Sequence, residues 1–423
     1  MKAIATVLFV LMYIGMIIFT KYRAQIALGV AALFLIIGVL PFSELADSID
    51  WNILFMLTGT MVLVDYFIES RMPNRVADRL MRLAPNVMWV TILMSLFSGI
   101  ISAFIDNVST VLMVAPVGMA VCKKLKISPV PMIISIAVSS NLQGAATLVG
   151  DTTSIMLGAY AGMDFLDFFF VNGRPGMFFA TELGALATIP IMLWLFKDNK
   201  TPIPDDHKLT EVKDFIPTWT LVGMVVVLIA ASFVKGKPSY TNGLICIVFA
   251  LLTIAWELVS KHNKAGLKHA IQQIDYDTLL LLTGLFIVIG GITDVGLIDD
   301  LAELIRQAGG NSVFLLYTIV VWGSVLISAF IDNIPYVATM LPVLQSVTGI
   351  LGISPELMYF GLLVGSTLGG NITPIGASAN IAGIGILRKD GHEVSFGDFM
   401  RIGVPFTLTA VMVGYLFIWI FYH

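Results

Sequence analysis

One hexapeptide occurs twice in this chain and sets the terms for everything around it. Ser102-Ala103-Phe104-Ile105-Asp106-Asn107 returns letter for letter as Ser328-Ala329-Phe330-Ile331-Asp332-Asn333, at an offset of 226 residues. The same offset joins Pro116 to Pro342, Thr147 to Thr373 and Gly150 to Gly376, so an entire supersecondary unit has been duplicated. Upstream, Ile49-Asp50-Trp51 with Thr58-Gly59 is echoed by Ile274-Asp275-Tyr276 with Thr283-Gly284, at an offset of 225. Each copy of the hexapeptide sets a carboxylate and an amide inside an apolar run. An acid within hydrocarbon is costly and ordinarily marks an ion or proton path. Two of them, at matching positions, point to function.

The apolar character is global. Hydrophobic residues make up 57% of the 423 and charged ones only 12%, with a mean hydropathy of +0.92. Soluble domains carry roughly 25% charged residues, so this is a polytopic membrane protein. The net charge of −4 says less than where the charges fall. Cys122 and Cys246 lie in or beside apolar segments without metal-ligand spacing and read as small core residues. Met1-Lys2 precede an apolar run to Thr20 with no small-residue cleavage site behind it, which predicts a retained first span.

A spanning helix needs about 20 apolar residues. On that scale helices are expected near 2–20, 24–41 and 51–69, then an amphipathic segment with Arg71, Arg75, Arg79 and Arg82 on one face. A hairpin at 87–122 surrounds Asp106-Asn107, a broken helix spans 129–162, and a helix at 175–196 closes the first half. Residues 197–216 form the one long polar stretch, read as a cytoplasmic linker. The order then recurs: helices near 217–234, 240–258 and 278–294, an amphipathic segment at 297–308, a hairpin at 312–350, a broken helix at 354–387 and a last helix at 403–421. The expected fold is all-α, with two repeats, 1–196 and 217–423. Each has five transmembrane helices plus a doubled-back hairpin, either re-entrant or crossing twice, with broken helices at the midplane. Five is odd, so the second repeat runs inverted, as in secondary transporters built around a midplane site.

Lysine and arginine placement orients the chain. With the Lys21/Arg23 loop inside, inner loops hold 19 of these residues and outer ones 5. The positive-inside rule then puts both termini outside a plasma (inner) membrane.

The residues with chemistry to offer cluster in the duplicated unit. Asp106, Asn107, Ser109 and Thr110, matched by Asp332 and Asn333, stand where one apolar helix ends and the next begins. They read either as helix caps or as hairpin tips offering oxygen ligands to Na⁺ or a titratable carboxylate to H⁺. The broken helices hold Asn141, Gly144, Thr147, Gly150 and Asp151 in the first half, and Gly370, Asn371, Thr373, Gly376, Ser378 and Asn380 in the second. Irregular backbone at membrane depth survives only where protein or a wet cavity satisfies it, and broken helices present carbonyls to cations and helix N-termini to anions. The copies differ: Asp151 aligns with Ala377, Asn371 with Ala145 and Asn380 with Ser154. That asymmetry predicts two non-identical ion sites, or one ion site beside a substrate pocket. Asp106 and Asp332 should then be unequal, because Asp151 adds an acid on the first side alone. No lysine, arginine or histidine occurs within 87–122, 128–173 or 311–387, so the site is expected to be acidic and amide-rich, without a fixed cation.

The doubled Ser-Ala-Phe-Ile-Asp-Asn, with Gly369-Gly370-Asn371-Ile372-Thr373-Pro374-Ile375-Gly376-Ala377-Ser378-Ala379-Asn380, resembles the ion transporter superfamily over essentially the whole chain. Within the branch that also holds the NhaD-type antiporters, with a citrate transporter-like domain, the nearest likeness is to the arsenite permease and the pigmentation-associated P protein, the NhaD-type antiporters being more distant. The resemblance implies homodimers, and elevator-type motion of a hairpin-bearing transport domain. The related dicarboxylate carriers have Ser-Asn-Thr at the hairpin tips, where Asp106-Asn107 and Asp332-Asn333 stand here.

The reading that follows is a secondary active transporter coupled to H⁺ or Na⁺, with Na⁺ at Asp106, Asn107, Asp332 and Asn333. Its expected partners are the lipid bilayer, a second copy of itself and a small inorganic ion or oxyacid as substrate, with no cofactor beyond the coupling ion. A Na⁺/H⁺ antiporter and a Na⁺-coupled di- or tricarboxylate carrier are the alternatives. A channel of the same fold lacks visible ring symmetry or a filter-like repeat of carbonyl motifs, and an intramembrane aspartyl protease, in which two acids share a proton, leaves the duplication unexplained.

Overall fold

The apolar runs fold as helices in the computed structural model, which describes residues 1–202, 209–260, 264–310 and 312–423. Lys208, Lys261 and the centre of the expected linker lie outside the described residues. The first half comprises α1 (Lys2–Ile18), α2 (Arg23–Ile37), the single turn α3 (Leu45–Ser48), α4 (Trp51–Glu69), α5 (Met72–Leu83), α6 (Val87–Ser102), α7 (Asn107–Leu125), α8 (Val130–Gly144), α9 (Thr152–Ala161) and α10 (Met177–Leu195). The second half repeats the series as α11 (Ile216–Ala231), α12 (Thr241–Ser260), α13 (Lys264–Gln273), α14 (Tyr276–Asp294), α15 (Leu297–Gly309), α16 (Val313–Ser328), α17 (Asn333–Leu351), α18 (Glu356–Leu363), α19 (Ser378–Lys389) and α20 (Phe396–Tyr422). Each helix of the first half thus has its counterpart ten places later.

Among the described residues eight helices are long and apolar enough to cross a membrane. The protein is largely inside-out in polarity. Ile36, Phe42, Trp219 and Leu326 are exposed while Asn107, Asn141, Asp151, Asn371 and Asn380 are buried, the pattern of helices whose outer faces meet lipid. Three details depart from the sequence reading. Helix α13 was not anticipated, α20 begins seven residues earlier than expected, and Phe170–Val171 pairs with Arg174–Pro175 as a small antiparallel ribbon. Asn172 and Gly173 turn that ribbon with φ of 52° and 76°, the double left-handed geometry of a two-residue hairpin.

Side-chain and backbone contacts sort the connections into two ends. At one end Lys213 N donates to Ser70 O at 3.0 Å and Met88 N to Asn199 O at 2.9 Å. Thr210 N bonds Asp78 at 2.7 Å, and Lys123, at the foot of α7, pairs with Asp390 just past α19. At the other end Lys237 pairs with Asp164 at 2.6 Å, Lys2 with Asp300 at 2.5 Å, and Ser346, near the foot of α17, bonds Asp299 at 2.8 Å. The α6–α7 hairpin is rooted at the first end and the α16–α17 hairpin at the second, so they enter from opposite sides.

The halves are also interleaved. Helix α4 packs on α12, and α14 on α2, so the third span of each half rests against the second span of the other. Glycine makes both crossings close. A Cβ on Gly59 would stand 2.4 Å from the Cys246 carbonyl carbon, and one on Gly284 would stand 2.8 Å from that of Ala27. Small residues at such crossings let helix backbones approach within a membrane.

Candidate functional site

The two hexapeptides form hairpin tips, and each aspartate caps the helix that follows it. Asp106 accepts from Ser109 N at 2.9 Å and Asp332 from Ile334 N at 3.1 Å. Capping and ligand chemistry are not exclusive here, because a cap occupies one oxygen of a carboxylate that has two. Asp106 and Asp332 cap with Oδ2 and Oδ1 respectively.

Each tip is held by the break in the helix behind it. The Thr147 hydroxyl donates to Ala103 O and the Thr373 hydroxyl to Ala329 O. Gly150 and Gly376 then slide under the tips. A Cβ at Gly150 would meet Gly144 O at 2.5 Å, Ser102 O at 2.6 Å and Ala103 O at 2.7 Å; one at Gly376 would meet Gly370 O at 2.5 Å, Ser328 O at 2.6 Å and Ala329 O at 2.9 Å. Gly144, Thr147, Gly150, Gly370, Thr373 and Gly376 therefore form two matching joints. Asn380 stabilises the second break, its Nδ2 donating to Gly370 O at 3.2 Å and Thr373 O at 3.3 Å. The chain reaches that break through a widened π-helical turn at Val364–Leu368, a feature frequent at functional sites.

Between the joints the halves are stitched by amides. Asn141 Nδ2 donates to Thr367 O at 2.7 Å and Asn371 Oδ1 at 3.1 Å, and Asn371 Nδ2 donates to Val138 O at 3.0 Å. On the tip side, Asn107 Nδ2 donates to Asn141 Oδ1 at 2.9 Å and lies 3.4 Å from Asp151 Oδ1. Thr153 Oγ1 donates to Asp151 Oδ2 at 2.9 Å and meets Thr367 Oγ1 at 2.9 Å. Asp151 heads α9 without the side-chain cap that Asp106 and Asp332 make, and its carboxylate faces tip 1 through Asn107. Thr110 is buried with its hydroxyl unpartnered.

A cavity of about 290 Å³ opens onto these groups. Asp106, Asn107, Ser109, Asp151 and Thr152 line it from the first half, and Asn333 and Ser378 from the second. Asp275, Thr278, Gln273 and Asp65 complete its wall. Among the described residues that line it there is no lysine or arginine. The N-termini of α7, α9, α14, α17 and α19 all start at or beside it. Their partial positive charges offset the carboxylates at four of them, whereas α19 is headed by Ala377.

Asp332 departs from the expectation of a site free of fixed cations. Arg23, assigned by the sequence to a loop, reaches across from the start of α2 to pair with Asp332, both side chains being mostly buried. Ser378 Oγ donates to the same carboxylate oxygen at 3.1 Å. Nothing local in the sequence joins residues 309 positions apart, so this partner was invisible there. Asp275 is visible in the sequence: the Ile-Asp-aromatic echo marks repetition and also puts an acid at each helix start. Asp275 caps α14 through Thr278 N at 3.0 Å.

A second cavity, about 520 Å³, is the repeat-related twin of the first. Ser48, Asp50, Ile53, Phe286, Ile289 and Gly290 line it where Gln273, Asp275, Thr278, Met61, Val64 and Asp65 line the first, each related by 225 residues. The twin lies at the opposite end, and its lining stops at Ala338 on α17 and Met156 on α9. The first turns of α17 are covered instead by Tyr13, whose hydroxyl bonds Pro335 O at 2.6 Å and Thr339 Oγ1 at 2.5 Å.

Residues 9–365 match the CitMHS family, described as citrate transporter. The chain belongs to that family. It is a membrane transporter and not an enzyme. An uncharacterized transporter of Mycobacterium tuberculosis is 30% identical over 432 residues, covering 100% of this chain and 99% of the relative. The human P protein is 27% identical over 469 residues, covering 92% of this chain and 56% of that protein. Among solved structures, the YdaH transporter of Alcanivorax borkumensis superimposes with a TM-score of 0.63 at 15% identity, over 90% of this chain and 87% of that one. MtrF of Neisseria gonorrhoeae, from a class of antimetabolite efflux pumps, gives a TM-score of 0.58 at 15% identity, over 88% and 81%. These two likenesses show a shared fold.

Proposed function

We propose that this citrate transporter family member is a cation-coupled secondary transporter, with the exchangeable Na⁺ or H⁺ held at tip 1 by Asp106, Asn107 and Asp151. One observation supports this above the others. Of two repeat-related cavities, the one reaching the tips is lined by four carboxylates, Asp65, Asp106, Asp151 and Asp275, while its twin at the opposite end stops short. A protein that opens one half of a symmetric path at a time is arranged for alternating access. The conformation described corresponds to the state open toward the arginine-rich end, which the charge count assigns to the inside. Elevator motion of the hairpins against α4 and α14, in a homodimer of the plasma membrane, extends the same reading.

The cavity also argues about substrate. Four carboxylates disfavour a free polyanion, which would need co-bound cations to enter. The second-tip side is better suited to an oxygen-rich solute: Asp332 is balanced by Arg23, Asn333 and Ser378 offer hydrogen bonds, and α19 is headed by Ala377 in place of an acid. A small inorganic ion or oxyacid such as arsenite fits this division. A Na⁺-coupled di- or tricarboxylate carrier is the second reading, favoured by the family description.

The test is flux into proteoliposomes of arsenite, Na⁺ or citrate under imposed pH or Na⁺ gradients. Saturable uptake that follows one cation gradient and disappears in Asp106→Asn is expected. Gradient-independent flux, or wild-type coupling in that variant, would sink the proposal.

A further inference from the structure

The two tips have the same Asp-Asn pair but different occupants. At tip 2 the Asp332 carboxylate receives Arg23, Ser378 Oγ at 3.1 Å and Ile334 N at 3.1 Å. Its side chain is 15% exposed and that of Arg23 is 23% exposed, so the pair is largely withdrawn from solvent. At tip 1 Asp106 caps α7 through Ser109 N and otherwise faces the cavity beside Asp151. A guanidinium keeps its charge at any physiological pH, so Arg23 is a permanent cation against Asp332.

The repeat shows what is missing from the other half. Gly59 packs on Cys246 as Gly284 packs on Ala27, which aligns α12 with α2 at an offset of 219 residues. The counterpart of Arg23 is then Asn242. Asn242 is neutral and lies at the opposite end, its Nδ2 3.5 Å from Asp164. Among the described residues the duplicated frame therefore offers two carboxylate tips and one tethered cation.

We infer that Arg23 is the resident occupant of the second of two duplicated cation sites. The transporter then couples one exchangeable cation per protomer, at tip 1, where the bare repeat would hold two. This inference rests on the cation-coupled reading above and adds its stoichiometry. A guanidinium suits the task because it satisfies a carboxylate in a fixed planar geometry and is weakly hydrated. It fills the second tip without being carried across.

The experiment is equilibrium binding of ²²Na⁺ to purified full-length protein in lipid nanodiscs, with proton release or uptake followed by a pH indicator. Wild type is expected to bind one cation per protomer with a Hill coefficient of about 1, lost in Asp106→Asn. Arg23→Gln vacates the second tip and should bind two, the Hill coefficient rising toward about 2. Arg23→Gln with Asp332→Asn should return to one, which locates the gained cation at the second tip, and the wild-type count keeps the test alive if the single variant fails to fold. Two cations in wild type, or one in a folded Arg23→Gln, overturns the Arg23 assignment while leaving cation coupling intact. No cation in wild type, with Asp106→Asn unchanged, overturns cation coupling and the assignment with it.

Discussion

Tip 1 and tip 2 are the same six residues in the same turn, docked by the same threonine and glycine, and yet they present different chemistry. Tip 1 faces Asp151 across Asn107 and opens to the cavity; tip 2 faces Ser378 and is neutralised by Arg23. Duplication supplied a symmetric frame. The chemical difference came from residues outside the copied motif, at positions where a side chain could change without disturbing the joint. Asp151 and Ala377 both head the helix after the break, and neither makes the contacts that hold the tip.

The largest expected contrast is between the two charge-removing variants. Asn caps a helix about as well as Asp, so Asp106→Asn should fold and insert normally while cation affinity falls roughly 10- to 100-fold, the equivalent of losing a charged oxygen ligand worth about 1.5–3 kcal/mol. Asp332→Asn strands Arg23 without a counter-charge. Breaking a buried pair costs roughly 3–5 kcal/mol, and the low end applies to these partly accessible side chains, so its thermal unfolding midpoint should drop clearly while cation affinity stays within a few-fold. Equal affinity losses in the two variants would erase the distinction between the tips.

A second comparison asks whether the joints are equivalent. Gly150→Ala and Gly376→Ala each force a Cβ against three backbone carbonyls that cannot rotate away. Overpacking of this kind costs about 1–3 kcal/mol or more. Melting of both variants in detergent should show losses of similar size, and tolerance of alanine at one position alone would mean that the joints are built differently.

Cross-repeat stitching comes next in magnitude. Asn141→Ala leaves Asn107, Thr367 O and Asn371 each short of a partner. An unsatisfied buried group costs about 1–3 kcal/mol, partly relieved if water enters, so a fall in stability of about 1–2 kcal/mol is expected. Because Asn107 and Asp151 lose their support together, cation affinity at tip 1 should fall too. An affinity unchanged in folded Asn141→Ala would show that tip 1 positions itself.

The smallest effect belongs to the threonine latches. Thr147→Val and Thr373→Val each remove one hydroxyl bond to a tip carbonyl, worth about 0.5–1.5 kcal/mol. Matching small losses are expected by thermal melting, and a large loss in one alone would locate strain that the common geometry hides.

Most of the architecture was legible in the chain because hydropathy and repetition are local properties. Apolar runs of spanning length, polar interruptions with glycine, and a 226-residue echo need no knowledge of the partner strand of chain to be seen. The helices lie within a few residues of where those signals put them, except α20, whose cap at Ser395 precedes its apolar stretch. The tips, Asp151, Asn333 and Ser378 were legible as polar groups in apolar surroundings, and the cavity brings them together. What tertiary structure alone decided was pairing. Arg23 meets Asp332, Asn141 meets Asn371, and α4 meets α12 because two inverted halves interleave, and such contacts join positions hundreds of residues apart. A sequence shows that a buried charge must be answered; only the folded chain shows whether the answer is a tethered guanidinium or an open cavity.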